Sequence, residues 1–391
     1  MKMLLVNHLM DPVSGGGTAE RTFQIARFLV RAGVSCTVLT LDLGITPARR
    51  AALGGAALVT APCLNQRFFS PWISPRRVRE LVAASDVVHL SGHWTLLNAM
   101  VYFACKELRK PYLFCPAGAL APFGRSLRLK SVYERLVGQQ LRQSAAACVA
   151  VTEAERADFA ACGVPSERIA VIPNGIDTAD YQLENPALAS VSFRQVSGVG
   201  DAPFVLFLGR LNLIKGPDLL LQAFLDLDER FQDVHLVLAG PDGGMQVELA
   251  SMAQARGLTE RVHFVGYVGG AQKVAALREA HLLAIPSRRE AMSIVVLEGG
   301  ICGCPVLFTD ACGLDDIARQ KAGTMVPVSV VALNAALSDL LNDNLSRTKA
   351  ADRLRDIVQR HYLWEAQAQR YLSLMKKLLA RPSTLGDSTT S

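Results

Sequence analysis

Short apolar, β-branched runs alternate with amphipathic segments almost the whole way along this chain, and the pattern occurs twice. In the first half the apolar runs fall at 3–7, 35–41, 86–90, 112–115, 146–151 and 169–172. In the second half they fall at 204–208, 234–239, 262–265, 282–285, 305–308 and 324–326. Helical periodicity fills the gaps at 18–32, 96–109 and 128–144, then at 217–226, 245–255, 271–279 and 294–302. A strand that is apolar throughout has both faces covered, and a helix between successive strands makes them parallel. The expectation is an α/β chain with parallel sheets and helices on both faces. At 391 residues it has room for two such domains. The polar, aperiodic stretch 179–203, with Pro186, Gly198 and Gly200, reads as a linker region between a domain at 1–178 and another at 204–361. The Ser/Thr-rich residues 382–391 read as a disordered tail. Ligands of such sheets sit at the carboxyl ends of the strands, so the cleft between two of them is the natural place for a site.

Composition narrows the class. Half the residues are hydrophobic and 19% are charged, which excludes an intrinsically disordered chain. No apolar run approaches the roughly 18 residues of a membrane span. Met1–Asn7 carries no signal-cleavage pattern and reads as a first strand, so a cytoplasmic protein is expected. The nine cysteines show no C-x-x-C pair or zinc spacing and read as buried thiols. Residues 1–180 hold 20 Lys and Arg against 13 Asp and Glu, a net +7, while the remainder carries −1. An anionic partner for the first half follows from that asymmetry, with plain surface solubility as the other explanation. The basic residues lack interleaved aromatics over any long surface, which argues against nucleic acid.

Chemistry concentrates in a few loops at strand ends. After the run 282–285 come Ser287-Arg-Arg-Glu290, then Ala291-Met292-Ser293 and the apolar helix that contains Glu298. Glu290 stands ahead of a helix N-terminus, where amides receive phosphate, and Glu298 lies about two turns inside, within reach of ribose hydroxyls. Ser293 is placed to cap the helix. After 204–208, Arg210 and Lys215 sit on a loop before Pro217, two cations suited to a diphosphate. Near the start, Ser14-Gly15-Gly16-Gly17-Thr18 reads as a glycine loop whose amides approach an anion, although its spacing is a poor dinucleotide fingerprint. In Asp86-Val-Val-His89-Leu-Ser-Gly92-His93-Trp94, His89 reads as core and His93 as exposed past the strand, a hydrogen-bonding or proton-carrying residue. The pair Asp226 and Asp228 falls at a helix end and reads as surface, not as a metal site.

Taken together, the GGG loop, the D-x-V-H-x-x-G-H-W segment, Pro111–Leu120, Thr152-Glu153-Ala-Glu155, Val171-Ile-Pro-Asn-Gly-Ile-Asp177, the Gly209-Arg210…Lys215-Gly216 loop and the Glu290-x7-Glu298 segment resemble the retaining glycosyltransferases of family 4, the GT-B group. The resemblance implies two Rossmann-like domains with parallel sheets facing across a cleft. It also implies a C-terminal helix, 362–379, that returns to the first, acceptor-side domain. It implies donor binding by Gly16, Gly17, Arg210, Lys215, Glu290, Met292, Ser293, Ile294, Val295 and Glu298, with Glu290, His93, Arg210 and Lys215 as the catalytic set. No metal and no cofactor are implied; the nucleotide-diphosphate sugar is itself the substrate. The expected reaction moves a hexose to a glycan or lipid-linked glycan, as in bacterial lipopolysaccharide or exopolysaccharide assembly. The sequence departs from the family where Glu-Gly-Phe-Gly becomes Glu290-Ala-Met-Ser, and where Ala117 follows Pro116. Two other readings stand beside it: a sugar-nucleotide hydrolase or epimerase, which needs a carboxylate pair not evident here, and a catalytically weak sugar-nucleotide-binding subunit. The basic amphipathic stretch 124–142 and the aromatic loop 68–77 suggest peripheral contact with an anionic leaflet at the cytoplasmic face of the inner membrane. Packing of the helix on the sheet is the plainer alternative.

Overall fold

The computed structural model describes residues 1–122, 124, 126–182 and 192–380. The tail at 382–391 and the middle of the expected linker therefore lie outside the described residues. The chain divides into two compact units, Met1–Asn174 with Trp364 onward, and Gly175–Leu363.

The first unit is built on a sheet of seven strands. These are β1 (Lys2–Val6), β2 (Ser35–Leu41), β3 (Ala57–Ala61), β6 (Val87–Ser91), β7 (Tyr112–Cys115), β8 (Ala147–Ala150) and β9 (Ile169–Val171). The order is β3-β2-β1-β6-β7-β8-β9 and every pairing is parallel. Between β3 and the next helix the chain makes a small antiparallel hairpin, β4 (Cys63–Asn65) with β5 (Ser70–Pro71). Neither β3 nor the hairpin was expected. β3 is a half-exposed edge strand beginning and ending in alanine, so it lacks the apolar run that marks the central strands.

The second unit has six parallel strands, β10 (Phe204–Leu208), β11 (His235–Ala239), β12 (Val262–Gly266), β13 (Leu282–Ile285), β14 (Val306–Thr309) and β15 (Thr324–Val326). Their order is β12-β11-β10-β13-β14-β15. Parallel sheets covered by helices are what the alternating pattern predicts. The helix Ile294–Cys302 has the predicted bounds, closed by Gly303 in the left-handed region at φ 73°. The residues after 192 in the expected linker are not a bare connector. They include a helix, Phe193–Ser197, whose Phe193 is fully buried and whose first amides donate to Glu279 at 3.1 and 2.9 Å.

The glycine segment also departs from expectation. Asp11 caps Ser14 N at 2.7 Å with Pro12 in the first turn, so a helix begins before the glycines and runs Pro12–Arg31. Gly15–Gly17 lie inside it, and Gly16 breaks it at φ 56°, ψ −144°. The helix thus has a second N-terminus just after Gly16.

The helix Trp364–Leu379 packs in the first unit, burying Trp364, Tyr371 and Met375. Arg21, almost wholly buried, holds it. Its guanidinium donates to Tyr371 Oη at 3.0 Å, Ile172 O at 2.6 Å and Asn174 Oδ1 at 2.8 Å.

Candidate functional site

Each sheet has one point at which the strand order reverses, and crevices open at the carboxyl ends there. In the second unit that point lies between β10 and β13, which are paired neighbours. The loop after β10 carries Arg210 and Lys215, and the loop after β13 carries Glu290. Sheet topology therefore brings together two segments that are 80 residues apart in sequence.

Their contact is direct. Lys215 Nζ lies 3.0 Å from Glu290 Oε1, and Ser287 Oγ donates to the same oxygen at 2.6 Å. The loops are tied by Arg288, which donates to both carboxylate oxygens of Asp218 at 2.7 and 2.6 Å and to Leu213 O at 2.8 Å. That fork-to-fork pair keeps the Arg288 guanidinium above its usual pKa. On the other side, β14 leads into a turn that supports the Glu290 loop. Glu290 N donates to Ala311 O at 2.9 Å, Ser293 N to Cys312 O at 3.0 Å, and Thr309 Oγ1 to Ser287 O at 2.5 Å. Gly313, at φ 68°, lies so close that a Cβ would collide with the Ala291 carbonyl. Arg210 is half-buried, its Cγ close against Gly243.

The amides that open the helix Ile294–Cys302 have no carbonyl one turn earlier to pair with. Ser293 does not supply one: it occupies the cap position without a side-chain cap bond, and its hydroxyl is buried without a partner. This corrects the expectation that Ser293 caps the helix, since its backbone is drawn to Cys312. Met292 is buried, and Ile294 and Val295 are half-buried beside it. Glu298, 6% exposed, uses one oxygen twice: Tyr181 Oη donates to Oε1 at 2.8 Å and Lys273 Nζ at 2.7 Å.

In the first unit the reversal lies between β1 and β6. Gly16 and Gly17 follow β1, and His93 follows β6. His93 is not exposed as expected but 1% accessible, because Trp94, Phe114 and Tyr133 close over its ring at centroid distances of 4.1, 5.2 and 5.8 Å. Burial lowers its pKa, so the ring is held neutral.

Two family models match the chain almost end to end. "Glycosyltransferase Family 4" matches residues 15–180, and "Glycosyl transferases group 1" matches 191–357. The chain belongs to the family 4 glycosyltransferases. Among similar proteins is the D-inositol 3-phosphate glycosyltransferase of Corynebacterium efficiens, 29% identical over 74% of this chain and 70% of that one. The solved structure of Anabaena HepE with UDP-glucose superposes with TM-score 0.78 at 21% identity, covering 96% of this chain and all of that one. WaaG, described as a glycosyltransferase of lipopolysaccharide biosynthesis, superposes with TM-score 0.69 at 20% identity, covering 95% and 99%. These superpositions show the GT-B fold.

In this glycosyltransferase Asp226 pairs with Arg256, and Asp228 lies 3.8 Å from Arg230. Among the described residues no group of three His, Cys, Asp or Glu side chains is placed to hold a metal ion, and no helix is long and apolar enough to cross a membrane. Sequence reasoning missed Ser287 and Arg288 as supports of the loops after β10 and β13, although both stand in the segment it singled out. It also missed Tyr181, Lys273 and Glu134, which become partners of Glu298 and His93 only through folding.

Proposed function

We propose that this glycosyltransferase moves a hexose from a nucleotide-diphosphate donor to a glycan or lipid-linked glycan with retention at the anomeric carbon, in bacterial surface-polysaccharide assembly. The observation that carries the reading is the cluster at the β10–β13 reversal: Lys215, Glu290 and Ser287 in contact beside an uncapped helix N-terminus. Arg210, Lys215 and the amides at Ile294 and Val295 receive the diphosphate, with Met292 and Ser293 shaping the turn before them, the Ser293 N–H being held by Cys312 O. Lys215 exchanges Glu290 for phosphate, and Glu290 then accepts hydrogen bonds from hydroxyls of the transferred sugar. Glu298, with Oε1 held by Tyr181 and Lys273, turns its other oxygen to the ribose. The acceptor oxygen attacks the anomeric carbon on the face from which the phosphate oxygen departs. The acceptor's proton passes to that leaving oxygen, and Lys215, Arg210 and the helix amides stabilise the developing charge. No step in this sequence calls for a metal. The nucleotide-sugar donor is supported by what the structural neighbour HepE binds, and the surface-polysaccharide role by WaaG.

The acceptor side carries a second element of the reading. Leu127, Leu129, Val132 and Leu136 project outward from the helix 127–143 at 51–65% exposure, alongside Arg128 and Arg135. Trp72 is 67% exposed on the hairpin's flank. Apolar side chains among cations suit an anionic leaflet carrying a lipid-linked acceptor.

A panel of UDP-, GDP- and ADP-hexoses tests the donor assignment by thermal stabilisation. At least one should raise the melting temperature in a concentration-dependent way; if none does, the reading fails. Flotation with vesicles containing anionic lipid should carry the protein at low salt and release it at high salt, and no flotation at either removes the membrane element.

A further inference from the structure

The first unit contains a second cluster that the proposed transfer does not use. Glu134 begins a single π turn, Glu134–Gly138, in the helix 127–143. Such turns cost regular hydrogen bonding and occur often at functional places. Here the turn carries Glu134 to His93, Oε2 to Nε2 at 2.8 Å, while Arg142 pairs with the other oxygen. Gly138 is the residue that makes room, since a Cβ there would collide with Glu134 Oε2 and press on the His93 ring.

The pair fixes a tautomer. Burial works to raise the Glu134 pKa, but the hydrogen bonds from His93 and Arg142 outweigh it and keep the carboxyl below its usual range. A carboxylate only accepts, so Nε2 carries the ring proton and Nδ1 is left with a bare lone pair. That Nδ1 is buried and has no partner. Two more buried polar atoms after β6 lack partners: Trp94 Nε1, a donor on the loop, and Asn98 Oδ1, an acceptor in the first turn of the helix Leu96–Glu107. The Asn98 amide nitrogen is already committed to Ser91 O at 2.9 Å and Gly92 O at 3.0 Å, which fixes how the side chain is turned. A buried polar atom left unpaired is destabilising. Three such atoms fall within six residues at the carboxyl end of β6, where ligands of parallel sheets sit.

We infer that residues 93–98 form a hydroxyl-binding subsite for the sugar or cyclitol part of the acceptor, with Glu134 as the positioning residue that fixes the His93 tautomer. A hydroxyl donates to His93 Nδ1 and accepts from Trp94 Nε1–H, and a neighbouring hydroxyl donates to Asn98 Oδ1. The set has the mixed donor and acceptor character of vicinal diols. The inference rests on reading the first unit as the acceptor side, and it involves no residue of the donor cluster.

Protein labelled with ¹⁵N at histidine and tryptophan reads the subsite directly. In the wild type, His93 should show a protonated Nε2 and a bare Nδ1. Glu134→Gln, whose amide oxygen still accepts, should keep that state, and Glu134→Ala should lose it. Methyl α-D-glucopyranoside, methyl α-D-mannopyranoside and myo-inositol serve as probes. At least one should shift both the His93 Nδ1 and Trp94 indole signals. Its affinity should fall about fivefold or more in Glu134→Ala and within twofold in Glu134→Gln. If no probe moves either signal, or Glu134→Ala binds the probe as well as the wild type, the subsite is refuted and the atoms serve only water. Should Glu134→Ala not fold, Trp94→Phe, which keeps the ring and removes the N–H, should weaken the same probe about fivefold; unchanged affinity refutes the proposal equally. UDP affinity measured on each variant separates the two readings, because its absence from the wild type counts against the donor assignment and leaves the glycoside result standing.

Discussion

Replacing Lys215 by methionine tests the diphosphate-binding role proposed for its cluster with little structural disturbance. The loop's backbone does not depend on the lysine head group: Lys215 N donates to Asn212 Oδ1 at 3.0 Å, and Gly216 sits at φ 69° against the Pro286 carbonyl. Methionine matches the length of the stem and removes the charge. A charge-assisted hydrogen bond to phosphate contributes about 1.5–3 kcal/mol. Against this stands the pair that Lys215 gives up, Glu290 Oε1 at 3.0 Å with the lysine side chain 33% exposed. A partly exposed pair of that kind is worth roughly 0.5–1 kcal/mol. The net loss is about 1–2 kcal/mol, or roughly a 5- to 30-fold fall in affinity for a nucleoside diphosphate. Titration calorimetry with UDP and with uridine provides the assay, since uridine carries no phosphate and should bind both proteins alike. A UDP affinity within twofold of wild type would sink the assignment, and so would equal weakening of uridine, which would indicate a displaced loop.

Three further outcomes follow from the geometry. Gly313→Ala should lower donor affinity and turnover and also cost stability, because its Cβ is strained at φ 68° and collides with the Ala291 carbonyl in the Glu290 loop; normal turnover would show that loop to be tolerant. Arg21→Met removes the guanidinium that donates to the buried Ile172 O, to Asn174 Oδ1 and to Tyr371 Oη, and should cost roughly 2–4 kcal/mol in urea unfolding, with faster amide exchange in the helix Trp364–Leu379. An unchanged urea midpoint contradicts the anchoring role. His89 is fully buried, and burial, aided by the nearby Arg21 charge, lowers its pKa from 6.5 to about 3. The unfolded chain therefore takes up a proton near pH 6.5 that the native protein refuses, so stability declines as pH falls from about 6.5 towards 3, by up to about 1.4 kcal/mol per pH unit. His89→Gln should flatten that acid slope, and an identical slope in the variant would contradict the assignment.

The architecture was legible because two-sided burial writes itself into strands as apolar runs: Phe204–Leu208 and Leu282–Ile285 are buried at every position. The strand Ala57–Ala61 escaped notice for the opposite reason, being buried at one position only. Asp11 and Pro12 hold the signal that a helix starts before Gly15, but the run of glycines outweighs it on a reading of propensity alone. For the site, spacing located Arg210, Lys215, Glu290 and Glu298 on strand-end loops and the helix that follows. It could not give their partners, since Tyr181 meets Glu298 across 117 residues and Lys273 across 25. His93 shows the same limit. Its neighbours Phe114, Tyr133 and Glu134 come from other elements, and only their arrival turns an apparently open histidine into a buried one.

The placement of the helix Trp364–Leu379 bears on how the chain is made. The first unit is discontinuous: its sheet is complete by residue 174, yet the helix that receives the Arg21 guanidinium is translated only after the whole of Gly175–Leu363. A ribosome therefore releases an N-terminal half that must wait, its groove for Trp364 and Tyr371 uncovered, until the second unit, contiguous in sequence, has been made. A chain cut short near residue 360 would keep a finished C-terminal unit and an unfinished N-terminal one. Damage at the end of the message is thus felt at the beginning of the protein, and quality control acting on exposed apolar surface would read the first half to learn whether the last helix had been made.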